Sequence, residues 1–166
     1  ADSGTIRISD GGQLGRSTSN NIAPITFNGG TYEIRTDAPN SFSGINISYS
    51  SNNGTIFVDR AIGSSSSLIN QTVAFNNLRQ ENNRTFTFTG RNGYGISIAS
   101  LTNNGNGANN EAWSYTGNGI MTVNGTSIWS EANTTGARTL TLTATGELVI
   151  NPNIIASGNS HVVTKG

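Results

Sequence analysis

The sequence predicts an all-β chain of short strands wound as a parallel solenoid. Three observations carry this expectation. Apolar and polar residues alternate strictly in run after run, which is the period of a half-buried strand. The runs are separated by Gly and Asn pairs and triplets that mark turns. Hydrophobic residues make up only 33% of the 166 and charged residues only 11%, so stability must come largely from backbone ladders and small polar side chains.

Along the chain, Thr5-Ile6-Arg7-Ile8-Ser9 is the first alternating run. It is followed by Ile45-Asn46-Ile47-Ser48-Tyr49, Thr85-Phe86-Thr87-Phe88-Thr89, Ile96-Ser97-Ile98 and Thr139-Leu140-Thr141-Leu142-Thr143. In "ITFNGGTYEI", residues 25–34, two β-prone runs flank Asn28-Gly29-Gly30, and a solenoid makes this triplet a corner between two faces where a hairpin would make it a tip. Further corners fall at Gly11-Gly12, Asn53-Gly54, Asn92-Gly93, Gly117-Asn118-Gly119, Asn124-Gly125 and Gly158-Asn159. Pro24, Pro39 and Pro152 lie outside the alternating runs, where a missing backbone donor does least harm. No window shows a 3.6-residue period; one turn is expected within Leu68 to Asn77. Leu101 to Asn110, "LTNNGNGANN", reads as a polar loop insertion too polar to face a core, and Ser64 to Ser67 as a shorter loop. The same strand grammar continues on both sides of each, so residues 1–166 form one domain.

A degenerate phrase recurs: "GTIRISDGG", "GTIFVDRAIG", "GNGIMTVNG" and "TGELVINPN". Short strands with Asn and Gly corners suit a sandwich, a barrel or a solenoid. Abundant Asn with little charge favours the solenoid, in which corner amides stack into ladders and Thr lines flat outer faces. Disorder is disfavoured, because net charge is zero and Thr, Ile and Val are plentiful.

Residues 24–63, "PITFNGGTYEIRTDAPNSFSGINISYSSNNGTIFVDRAIG", resemble the autotransporter-associated β-strand repeats of bacterial surface proteins, as do "GTIRISDGGQLG" upstream and "GARTLTLTATGELVINPNIIASGNSHVVTKG" downstream. The stretch "LTNNGNGANNEAWSYTGNG" has no counterpart in that pattern. The resemblance implies a right-handed parallel β-helix displayed extracellularly, at the bacterial cell surface, as a stalk, scaffold or adhesive surface. Coils of about 20 to 25 residues spaced near 4.8 Å would give roughly seven coils and a rod about 30 to 35 Å tall.

Composition narrows the function. Eight scattered Arg and the single Lys165 do not form the basic patch that nucleic acid needs. No apolar run exceeds three residues, so no membrane-spanning helix is expected. Without Cys there are no disulfides or thiolate sites, and the opening Ala1 fits a processed or excised segment. No metal or other cofactor is expected, since there is one His and no repeated calcium motif; a lone calcium on Asp59 and loop carbonyls is the alternative. Asp2, Asp10, Glu33, Asp37, Asp59, Glu81, Glu111, Glu131 and Glu147 are spread evenly, and His161 has no triad-like neighbours. The chain therefore reads as non-catalytic, although two carboxylates could still meet by coil stacking. Arg7, Arg35, Arg60, Arg84 and Arg138 occupy polar-face positions, where solvated charge discourages lateral aggregation. Tyr94, Trp113, Tyr115 and Trp129 are the binding candidates for a glycan or a protein partner, against the blander role of filling or capping a core. With no amphipathic capping helix evident, open coil ends point to end-to-end association, either with neighbouring repeats of a longer parent chain or head to tail with itself. The competing expectation is a carbohydrate-active or glycan-binding β-helix.

Overall fold

The computed structural model describes residues 4–10, 13, 25–49, 52–64, 69–81, 84–104, 111–125, 138–151 and 161–165. Within them thirteen strands follow in order: β1 (Thr5–Ile8), β2 (Ile25–Phe27), β3 (Thr31–Arg35), β4 (Asn46–Tyr49), β5 (Gly54–Asp59), β6 (Thr72–Glu81), β7 (Thr85–Gly90), β8 (Gly95–Asn104), β9 (Glu111–Asn118), β10 (Ile120–Val123), β11 (Arg138–Ala144), β12 (Glu147–Ile150) and β13 (His161–Lys165). Odd-numbered strands stack into a seven-stranded sheet, β1-β3-β5-β7-β9-β11-β13, and even-numbered strands into a six-stranded sheet, β2-β4-β6-β8-β10-β12. Every pairing is parallel, and each strand lies beside the one two places along the chain. This is a parallel β-solenoid, as the alternation and corners predict.

Asn28-Gly29-Gly30 is a corner. Phe27 ends β2 in one sheet and Thr31 opens β3 in the other, and the turn runs through Gly29 and Gly30 at φ of 95° and 82°, a region open to glycine. Coils are less regular than expected. Arg35 and its neighbour on the next coil, Asp59, are 24 residues apart, whereas Asn53 and Thr85 are 32 apart.

Alternation places the core. From the seven-stranded sheet come Ile8, Ile34, Ile56, Val58, Phe86 and Phe88, and from the other sheet Phe27, Ile47, Val73, Phe75, Ile96 and Ile98, all buried. β6 and β8 are long enough to bend around a further corner: β4 pairs with the second half of β6, β10 with the first half of β8. The inward sequence accordingly slips from two residues to three, Val73, Phe75, Leu78 and Ile96, Ile98, Leu101, all buried. The slip leaves Asn76 and Asn77 hydrogen-bonding along the stack, Asn76 Nδ2 donating to Asn46 Oδ1 at 2.9 Å and Asn77 Nδ2 to Ser100 Oγ at 2.7 Å. Asn151 to Asn124 (2.9 Å) and Asn52 to Asn28 (2.7 Å) repeat the pattern. These are the amide ladders expected from the Asn content.

Two expectations need correcting. Leu101–Asn104 is not loop: it continues β8 beside Leu78–Glu81, with Leu101 buried, because the long partner strand offers backbone bonds that local polarity does not forbid. Residues 105–110 of the expected insertion lie outside the described residues. Glu111–Asn118, from the stretch without a counterpart in the repeat pattern, is strand β9, between β7 and β11. The turn expected within Leu68 to Asn77 reduces to a bend around Asn70, with Thr72 onward in β6. A short 3-10 turn instead spans Pro39–Phe42, and it drives buried Phe42 edge-on against Phe75, ring centroids 6.1 Å apart. Ser65–Ser67, Pro24 and Pro152 lie outside the described residues.

Candidate functional site

The outer face of the seven-stranded sheet carries a column of threonines. Thr5, Thr31, Thr55 and Thr87 are successive register partners on four strands, and the register continues through the backbone of Thr116 to Thr143. The next outward column reads Arg7, Glu33, Phe57 and Thr89, so the charged and aromatic side chains gather at the β1 end of the face.

Here stacking does bring two carboxylates together, bridged by a guanidinium. Arg35 Nε donates to Glu33 Oε1 at 2.6 Å and Arg35 Nη1 to Asp59 Oδ2 at 2.6 Å. Arg7 takes the other oxygen of Glu33, Oε2, at 2.8 Å. Asp59 Oδ1 accepts from the Arg60 amide (2.8 Å) and from Asn92 Nδ2 (2.6 Å). Both acids are buried, and every carboxylate oxygen has a donor. Arg35 and Arg7 are thus structural ion-pair partners as well as charged surface groups. Arg35 also lies over Phe57, 4.9 Å from its ring centroid, and Arg91 approaches the same ring at 5.6 Å.

The hydrogen bond from Arg35 is the main cause holding the Glu33 carboxyl below its ordinary value of 4.5; burial works against it, and the Arg7 hydrogen bond and both cationic charges assist. A depressed carboxyl contributes stability that is complete above the unfolded value and is lost as pH falls through the folded one. The melting temperature should therefore fall below about pH 4.5, and Glu33→Gln should flatten that fall while lowering stability at pH 7. Thermal melts from pH 3 to 7 check this; parallel curves for the two proteins would refute it.

Tyr94 is wholly buried, its hydroxyl donating to the Thr36 carbonyl at 3.0 Å. Burial pushes its phenol up, reinforced by Asp37 and Asp59 and opposed by Arg60. It fills the core and offers no surface to a glycan. Trp113 and Tyr115 lie on β9, in register with Leu140 and Leu142, and Tyr115 also with Phe86. Trp129 lies outside the described residues. Of the four aromatics only Tyr94 has its side chain among the described residues, and it is turned into the core. The groups the structure does gather are Glu33, Arg35, Phe57, Asp59 and Arg91. Of these, alternation places Arg35 on a polar face, but the meeting of the five depends on inter-coil register, which the sequence does not display.

Around them is an open groove of about 370 Å³, lined by Thr5, Thr31, Thr55, Glu33, Arg35, Phe57 and Arg91. A second concavity of about 390 Å³ shares Thr31 and Thr55 and continues to Thr85 and Thr87, making a shallow trough along the stack. Comparison with protein-family models, curated proteins and solved structures finds no match to this chain.

Proposed function

We propose that the chain is a non-catalytic structural and adhesive module of a bacterial surface protein, an extracellular β-solenoid that associates end to end. The observation that carries this reading is the condition of the β1 end. Ile6 is in register with Tyr32 and, through it, with Ile56; Ile56 is fully buried, whereas Ile6 is 53% exposed. β1 stands at the margin of its sheet and β2 at the margin of the other. An apolar inward column that stops in solvent beside strand edges that are unpaired among the described residues is a template for another coil. That coil belongs either to a longer parent chain or to a second copy in a head-to-tail filament.

The non-catalytic half of the reading is supported by the saturation of Glu33 and Asp59. A general acid needs a raised pKa and a free oxygen, and Glu33 has neither. The surface location rests on the repeat resemblance and on the absence of Cys. Electron microscopy of the purified chain tests the assembly. Rods several solenoids long are expected, and Ile6→Asp should shorten them to single units by placing a charge in the apolar column; dispersed single particles from the unaltered chain would exclude self-assembly.

A further inference from the structure

We propose that the trough on the outer face of the seven-stranded sheet binds a linear acidic polysaccharide, with a sugar carboxylate held by Arg91 beside Phe57 and Arg35. The inference rests on the adhesive reading above and gives it a ligand class.

The charge is complementary. Of the lining groups Glu33 is negative and Arg35 and Arg91 are positive. Glu33 is occupied on both oxygens by Arg7 and Arg35, and Arg35 by Glu33 and Asp59. Arg91 is exposed and stacks on Phe57, but among the described residues its guanidinium has no carboxylate partner. A planar guanidinium already oriented by an aromatic ring is suited to take a carboxylate in a two-point hydrogen bond.

The remaining lining suits a sugar. Phe57, half-buried, offers an apolar edge for ring C–H groups. Thr5, Thr31 and Thr55 supply hydroxyls that both donate and accept, one per strand at about 4.8 Å. This spacing is close to the advance per residue of a flat, β-linked glycan, so a chain lying along the stack meets one hydroxyl per sugar.

Other polymers fit less well. An extended acidic peptide takes its affinity from backbone pairing at a sheet edge, whereas β3 and β5, which carry Glu33, Arg35 and Phe57, are paired on both sides. A lining of net charge about +1 is too small for the phosphate-driven binding of a nucleic acid.

Titration of the protein, immobilised at low density, with β-linked oligomannuronate tests the proposal; at that density the readout is independent of end-to-end assembly. Saturable binding is expected, weakened about tenfold or more by Arg91→Gln and unchanged by Arg79→Gln on the other sheet. Neutral β-linked mannohexaose should bind at least tenfold more weakly than the acid. Because Arg91 is exposed, its variant should retain the parent's circular dichroism. Absence of binding, equal affinity for the neutral sugar, an unchanged Arg91→Gln titration, or equally tight binding of polyaspartate would each overturn the proposal. Any of these could occur with rods still visible by microscopy, and rods could be absent with binding intact, so the two readings fail separately.

Discussion

Tyr94→Ala is expected to lower the unfolding free energy by about 4 kcal/mol, the middle of the range for emptying a large aromatic site. Its ring is among the largest fully buried side chains. It sits where the tight Arg91–Tyr94 turn, closed by the Tyr94 amide donating to the Arg91 carbonyl at 2.9 Å, hands the chain from β7 to β8. The deletion also orphans the Thr36 carbonyl that accepts the phenol at 3.0 Å, on a residue only 1% exposed. Tyr94→Phe separates the two contributions: it keeps the ring and loses the hydrogen bond, for about 1 kcal/mol. Urea denaturation followed by circular dichroism checks both. A loss below about 1 kcal/mol in the alanine variant would mean that Tyr94 does not fill the core in solution.

Gly90→Ala should cost about 3 kcal/mol, at the top of the usual range for overpacking. A Cβ there would fall 2.0 Å from the Tyr94 carbonyl oxygen, and backbone oxygen cannot swing aside as a side-chain tip can. The turn that positions this oxygen is itself constrained, with Asn92 and Gly93 at φ of 52° and 75°. Gly90 also donates its amide to Asn118 Oδ1 at 3.1 Å on the next coil, so any shift is transmitted along the stack. Gly4→Ala is the control: its added Cβ meets nothing, and the change should stay within about 0.5 kcal/mol. Equal denaturation midpoints for the two variants would contradict the close packing of this corner.

Much of the fold was legible because its logic is local. Alternation in Thr85–Thr89 and Thr139–Thr143 separates inner from outer faces, and Asn28-Gly29-Gly30 marks a corner whichever coil lies above it. Register was not legible, because segments of 24 and 32 residues separate neighbouring rungs and no constant offset aligns them. The Glu33–Arg35–Asp59 bridge and the Arg35–Phe57–Arg91 stack were therefore invisible as units, and of their members only Arg35 is placed on a polar face by alternation. Leu101 was misjudged because its polar neighbours outweighed one leucine in the sequence. In three dimensions that leucine and the backbone bonds to β6 decide the matter. Tyr94 takes the core-filling role weighed against binding. It lies between Gly93 and Gly95, and a Cβ at Gly95 would come within 2.6 Å of the Ile120 carbonyl oxygen, a mark of tight packing that suits an inward ring better than an exposed one.

The order of rungs also governs how the molecule would respond to tension. β1 and β13 stand at opposite margins of the seven-stranded sheet, and each rung is bonded only to its immediate neighbours. A pull on the two chain ends loads the interstrand bonds one after another, as in opening a zipper, and does not shear a whole sheet at once. Each yielding step pays out one coil: 24 residues, as between Arg35 and Asp59, correspond to about 80 Å of contour. A stack built this way would lengthen under load in small increments, dissipating it while the remaining rungs stay wound.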